Sequence, residues 1–201
     1  MPAPGLPVGF RSRPVVSAMK SLQGHLLASD RGLTDPNFFQ AVVLMVQHDA
    51  QGAMGIVLNR PSDARVAALW KKMNAGPCRH AGVLYHGGPC EGPVMALHDD
   101  PRLADSTILD GVYFASDREA INELLAKERS LLKIFAGYAG WSDGQLEAEL
   151  EEGSWLTTPA KREHFAIDES ELWKRVTGEI VGAALIRAAN VRHVPNDLRL
   201  N

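Results

Sequence analysis

The sequence predicts an α+β domain built around one mixed sheet, and two observations carry that prediction. An antiparallel hairpin is written early in the chain: Ala41 to Gln47 reads Ala-Val-Val-Leu-Met-Val-Gln, the turn His48-Asp49-Ala50-Gln51-Gly52 follows, and Ala53 to Arg60 returns. Strand–helix–strand units come later, around helices that open at Asp63, Ser116 and Ser142. Hairpins beside crossover units, without strict alternation, argue for α+β rather than a doubly wound α/β fold. No internal repeat or low-complexity linker divides the 201 residues, a length that suits one domain.

The elements follow in order. Residues 1–20 carry Pro2, Pro4, Pro7 and Pro14 with the bases Arg11, Arg13 and Lys20. They lack the continuous apolar core of a secretory signal, so they read as a poorly ordered leader before a domain at 21–201. Gln23 to Ser29 is a first strand, and Asp35-Pro36-Asn37 a turn. Ala41 to Gln47 is almost wholly apolar, as a strand buried on both faces would be. Its partner is stopped by Pro61, and Gly55 within it signals a bulge or a close backbone contact. Asp63 to Asn74 reads as a helix with Ala64, Ala67, Ala68 and Trp70 near one face, ended by Gly76-Pro77. Val83 to His86 and Val94 to Leu97 are short strands around Gly87-Gly88-Pro89, Asp99 to Asp105 is loop, and Val112 to Ala115 is a strand.

Ser116 and Glu119 form a capping box that opens a helix to about Arg129. Leu131 to Tyr138 is the next strand. Ser142 is then an N-cap, with Gln145 closing a second capping box and Gly153 ending the helix after Glu152. Asp168 to Glu171 caps a final helical region, which Gly178 is placed to interrupt. A helix-turn-helix there, from Glu169 to Ala189, would offer DNA only Arg187. Val194-Pro195-Asn196-Asp197 is a turn and tail.

Composition excludes several classes of function. Lys and Arg number 21 against 24 Asp and Glu, a net charge of −3, which makes no electrostatic case for nucleic acid. The basic pairs Lys71-Lys72 and Lys161-Arg162 are short and read as solvated surface. Hydrophobic residues make up 45% of the chain, too many for wholesale disorder. No apolar run approaches the roughly 20 residues of a membrane-spanning helix. Cys78 and Cys90 are too few for a disulfide framework in a chain this long. Reduced thiols, and hence a cytoplasmic location, are expected.

One stretch suggests catalysis. Gly140-Trp141-Ser142-Asp143-Gly144 fits G-x-S-x-G, with a strand before it and a helix after, as a nucleophile elbow requires. His86-Gly87-Gly88-Pro89 resembles an oxyanion loop, and Asp168 and His193 follow in acid–base order. Against this, the early hairpin breaks the alternation of that fold, Pro89 lacks an N–H, and Ser142 is wanted as a cap worth about 1 kcal/mol. A serine hydrolase using Ser142 is therefore the alternative reading. Cys78, His80, His86, Cys90 and His98 are ligand types that zinc prefers, but their spacing matches no compact knuckle, so no metal is expected. Ser17-Ala18-Met19-Lys20 spells S-x-x-K without its K-T-G companion and reads as chance. No P-loop and no dinucleotide fingerprint is present, so no cofactor is expected.

Four segments, in order, resemble one family. They are His25 to Ala28 with Asp35 to Phe39; Val42 to Pro61, with the core Gly52-Ala53-Met54-Gly55-Ile56-Val57-Leu58-Asn59-Arg60-Pro61; Gly87-Gly88-Pro89 with Leu97-His98; and Gly137 to Trp141 with Gly144-Gln145-Leu146-Glu147 and Trp155. They resemble the YqgE/AlgH family of bacterial proteins, from about Gln23 onward, and Val194 to Asn201 looks like an ending found in part of it. The resemblance implies a cytoplasmic α+β fold with a bifurcated, barrel-like sheet and flanking helices. It implies no established reaction. The family's label, transcriptional regulator, finds no independent support here for DNA binding.

In the family pattern the two positions between Trp141 and Gly144 vary, so Ser142 matches no fixed nucleophile. Many members have a cysteine where this chain has Val46, and Cys90 stands where an aliphatic residue is usual. The matching polar and glycine positions are Asp35, His48, Asn59, Arg60, Gly87, Gly88, His98, Trp141, Gln145 and Glu147. Motifs rich in Gly, Pro and Trp usually encode turns and packing, and that reading is favoured. The functional reading gathers Asn59, Arg60, Gly87, Gly88, His98, Trp141 and Gln145 around one cleft. Its ligand would be an unknown small molecule or protein partner, in a regulatory or binding protein without catalytic machinery.

Overall fold

The computed structural model describes residues 21–73 and 75–191. In chain order the strands are β1 (His25–Ser29), β2 (Val42–Asp49), β3 (Gly52–Val57), β4 (Pro61–Arg65), β5 (Val83–His86), β6 (Cys90–His98), β7 (Ser106–Leu109), β8 (Val112–Ala115), β9 (Leu132–Ser142) and β10 (Trp155–Pro159). The helices are α1 (Val66–Lys72), α2 (Arg118–Leu125), α3 (Gln145–Glu151) and α4 (Glu169–Val191). None of them is long and apolar enough to cross a membrane. The chain is α+β with a mixed sheet, as the hairpin and crossover signals predict.

The sheet is organised by β9. Strand order is β10-β1-β2-β3-β9-β6-β8-β7, with β5 paired to β4 and, in parallel, to β9. One edge of β9 follows β6. The other edge is shared: residues 134–136 pair with β5, and residues 139–142 pair with β3. The sheet therefore forks at residues 137–138. It does not close, since β10 and β7 end the strand path.

The fork explains its glycines. Gly87 donates its N–H to Ala136 O and accepts from Val57 N–H, stitching β5, β9 and β3 together. A Cβ on Gly87 would lie 2.1 Å from Gly137 O, and one on Gly88 2.2 Å from the Tyr138 carbonyl carbon. Gly137 itself has φ +75°. Backbones cross too closely here for any side chain.

Three buried clusters flank the sheet. The largest spans β1, β2, β6 and β9 with Trp173 and Val176 of α4. A second lies under α3, around Val43, Trp141 and Trp155. A third holds α1 and α2 through Val66, Trp70, Leu124 and Leu125.

Several local expectations need correction. Residues 61–65 form β4, alternating exposed and half-buried, so α1 starts at Val66 rather than Asp63. The cap of α2 is Asp117, whose carboxylate accepts from Ala120 N–H at 2.9 Å, while Ser116 bonds Asp105 instead. β9 continues to Ser142, and Gly144 in a left-handed conformation, not Ser142, caps α3. β7 and β10 were not expected as strands; β10 pairs residue for residue with β1. α4 runs unbroken through Gly178, so there is no helix-turn-helix. A single glycine costs a helix only about 1 kcal/mol, less than the packing of Trp173 and Val176 returns. The leader 1–20 with its S-x-x-K, His193 and the ending 194–201 lie outside the described residues.

Candidate functional site

The motif residues fall at separate places rather than around one cleft. His98 ends β6 opposite Leu132, while Trp141 sits nine residues further along β9. At about 3.3 Å per residue, nine residues of strand span at most ~30 Å, with Gly137 at φ +75° between them. His98 is wholly buried, accepts at Nδ1 from Asp100 N–H (3.2 Å) and lies against Tyr113. Burial, reinforced by the nearby Arg129, holds its pKa below the ordinary histidine value. Asp100 is gripped by Arg102 and Arg129, both at 2.7 Å, which pull its carboxyl far below the usual range against the opposing effect of burial.

Trp141 and Gln145 belong to a saturated network at the turn end of the β2–β3 hairpin. The indoles of Trp141 and Trp155 both donate to Glu149 Oε2, at 2.9 and 2.8 Å, and Gln145 Nε2 donates to Glu149 Oε1 at 3.0 Å. Phe38 stacks on Trp141 and meets Trp155 edge-on. His48 Nδ1 accepts from Leu22 N–H, which leaves the proton on Nε2 to face Glu147 Oε1 at 2.6 Å. Ser142 is exposed, and its hydroxyl and N–H both donate to Gln145 Oε1. It is an ordinary strand residue: among the described residues only Gln40 is a non-glycine with positive φ. The strained elbow that G-x-S-x-G needs is not formed.

Asn59 and Arg60 build a different place, at the open end of the same hairpin. Asn59 Oδ1 accepts from Val42 N–H and its Nδ2 donates to Gln40 O, both at 2.9 Å. Arg60 donates to Phe39 O through Nη2 and to Asn59 O through Nη1 (3.3 Å). The two side chains thus hold the carbonyls on either side of Gln40, which sits at φ +52°. A left-handed conformation costs a non-glycine roughly 1–2 kcal/mol. Phe39, Arg60, Pro61, Ser170, Trp173 and Lys174 surround a cleft of about 460 Å³ beside this brace.

In that cleft Arg60 is the cation without a paired carboxylate among the described residues; Lys174 is paired with Glu171 at 3.1 Å. Among the described residues no carboxylate lies within ion-pair distance of Arg60. Burial without a counter-charge lowers its pKa from the usual arginine value. Glu169 also lines the cleft but is committed elsewhere: it accepts from Tyr85 Oη (2.5 Å) and from Lys133 Nζ (2.7 Å). Burial would raise its pKa, yet these two bonds, together with a backbone hydrogen bond and the charge of Lys133, outweigh it and hold the carboxyl below its ordinary value. Burial first, and then Glu169, drives the Tyr85 hydroxyl upward. A half-buried guanidinium with unused N–H groups suits a carboxylate or a phosphate.

The cysteine–histidine set does not assemble. Cys78 Sγ lies against its neighbour His80 O, His86 is exposed, and Cys90 faces Tyr138 across the fork. The one group of metal-ligand type among the described residues is Glu163, His164 and Glu179. It does not fit a metal ion. His164 Nδ1 accepts from Lys161 N–H, so Nε2 is protonated toward Glu179, and Lys161 Nζ already stands 2.9 Å from that carboxylate. Sequence reasoning missed the far wall of the Arg60 cleft. Ser170, Trp173 and Lys174 come from α4, more than a hundred positions away, and only the cap signal at Asp168 marked where that helix begins.

This geometry defines an α+β protein with a forked sheet and a cationic cleft where α4 meets the hairpin. Residues 25–184 match the family model described as AlgH-like, and the chain belongs to that family. It is 36% identical over 198 residues to a UPF0301 protein of Streptomyces avermitilis, covering 92% of this chain and 98% of that one. A UPF0301 protein of Myxococcus xanthus is 38% identical over 160 residues, covering 77% and 88%. The solution structure of the AlgH protein from Pseudomonas aeruginosa is similar at a TM-score of 0.67 and 30% identity, over 90% of this chain and 97% of that one. Protein DIP2367 from Corynebacterium diphtheriae shares the fold at a TM-score of 0.62 and 23% identity, over 83% and 93%.

Proposed function

We propose that this protein acts by binding rather than by catalysis, and that the Arg60 cleft takes the anionic group of a small molecule. The observation that carries the reading is a half-buried guanidinium, fixed on two backbone carbonyls, with no carboxylate to neutralise it among the described residues. Lys174, which also pairs with Glu171 at 3.1 Å, and Ser170, whose hydroxyl donates to Asp168, stand on the opposite wall, and the ring of Phe39, 51% exposed, offers an apolar surface at the mouth. A ligand with a carboxylate or phosphate at one end and an apolar body fits that lining. Regulation would then run through a bound effector or a protein partner, since a net charge of −3 gives DNA no foothold. Free Cys78 and Cys90 accord with a reducing, cytoplasmic setting.

The test is calorimetric titration with a panel of carboxylates and phosphate esters. A hit is expected to weaken by roughly tenfold or more in Arg60→Gln, because a charge-assisted hydrogen bond is worth about 1.5–3 kcal/mol. Ser142→Ala should bind as the parent does. Absence of saturable binding by any anion would overturn the reading. Covalent labelling of Ser142 by a fluorophosphonate would instead support the hydrolase alternative.

A further inference from the structure

The second half of α4 leaves the body of the protein with its apolar side chains uncovered. From Val181 to Ala189 every residue but Gly182 is exposed, and Arg187 is the only charged one. Val181, Leu185 and Ile186 are 52%, 66% and 64% exposed. A helix that is apolar on every side is ordinarily buried, and a contiguous exposed apolar patch marks an interface.

Two glycines in this helix show what the patch fits. A Cβ on Gly178 or Gly182 would meet nothing within 4 Å. Glycine weakens a helix, and here no clash among the described residues demands it. Gly178, Val181, Gly182 and Leu185 fall at i, i+3, i+4 and i+7, so all four share one face. That face presents two large side chains and two gaps.

We propose that this face pairs with a second copy of itself, antiparallel, about a two-fold axis between Val181 and Gly182. In that register Leu185 of each copy lies over Gly178 of the other, and Val181 over Gly182. Every large side chain enters a gap left by a glycine, and the pairing is self-complementary, as a two-fold contact must be. Beside Gly178 a trough of about 560 Å³ gives Leu185 room to seat; its apolar walls are Leu156 and Trp173, and Asp30, Arg31 and Lys174 form its charged rim. Extended to Lys174 over Ala189, the same register pairs about four helical turns of α4 and buries on the order of 600 Å² per copy, about 1,200 Å² in total, the lower end of specific interfaces. A bilayer is the poorer occupant: the segment from Ile180 to Ala189 carries Arg187 and reaches only ~15 Å as helix, half of a hydrocarbon core about 30 Å thick.

The experiment is sedimentation equilibrium of the full chain over a wide concentration range, with vesicle co-sedimentation run in parallel. The wild type is expected to show a reversible monomer–dimer equilibrium. Leu185→Glu should weaken it by at least tenfold. Gly178→Leu should do the same by filling the gap, while raising the melting temperature of the monomer because the helix gains propensity; misfolding cannot produce that pair of results. A wild type that stays monomeric, whether or not it sediments with vesicles, overturns the proposal. So does a dimer that both substitutions leave intact.

Discussion

The two ends of the β2–β3 hairpin carry residues of the same sequence motifs and use them differently. At the turn end, Trp141, Trp155 and Gln145 all donate to the one carboxylate of Glu149, and His48 faces Glu147. Donors and acceptors there are matched. At the open end, Asn59 is also matched, to Val42 and Gln40, but Arg60 has only carbonyls for partners and faces a cleft. Satisfied polar networks rigidify a fold, whereas a desolvated cation without a counter-charge is stabilised further when an anion arrives. Stability and binding should therefore separate between the two ends.

The largest effects should come from the turn end. Trp141→Ala is expected to cost about 3–5 kcal/mol through lost burial and the cavity left, measured by urea denaturation. Glu149→Leu strands two indole N–H groups and should cost on the order of 2–6 kcal/mol, since each unsatisfied buried donor costs about 1–3. At the open end, Asn59→Ala should cost about 1–3 kcal/mol by releasing Val42 N–H and Gln40 O. Arg60→Gln should change stability by about 1 kcal/mol or less while weakening anion binding by roughly tenfold or more. If Arg60→Gln instead destabilised as strongly as Glu149→Leu, the contrast would collapse and Arg60 would be only a brace. Gln40→Gly should stabilise by up to roughly 1 kcal/mol, because glycine takes φ +52° without strain.

The smallest expected effects are in pH dependence. Glu169 has a folded pKa below its unfolded value. Its contribution is therefore present above the unfolded carboxyl value and is lost as pH falls below that value and through the folded one. Glu169→Gln should flatten the fall in melting temperature over that window. His98 is also depressed in the fold, so the unfolded chain takes up its proton first. Stability should decline as pH drops below about 6.5, and an apolar replacement such as His98→Phe should remove that slope even if it lowers stability overall.

Much of the architecture was legible residue by residue. The apolar run of β2 and the turn at Gly52 name the hairpin, although β3 ends at Val57 and Pro61 opens β4 instead of stopping a strand; Asp35 makes the expected turn by accepting from Asn37 N–H. Gly55 is a close contact, with Val43 Cγ1 2.5 Å from where its Cβ would be. The missed strands share a cause. β4, β7 and β10 are each four or five residues long and mostly half-exposed, so they lack an apolar signature and depend on their neighbours for existence. Ser142 misled for a related reason: Gln145 does reach back to its N–H, as a capping box predicts, but β9 pairs with β3 through Ser142 and moves the cap to Gly144.

By itself the sequence determined the α+β class, the hairpin, the glycine positions that only a crowded backbone needs, and the family. Those depend on local chemistry: side-chain period, turn propensity and the missing Cβ of glycine. Only the tertiary structure decided which motif residues meet. It sent His98 and Trp141 toward opposite ends of β9, and it brought α4 across the hairpin to make a cleft at Arg60. It also left the glycine-notched face of α4 uncovered. Such juxtapositions come from strand register and helix packing between residues far apart in the chain, and no local pattern encodes them.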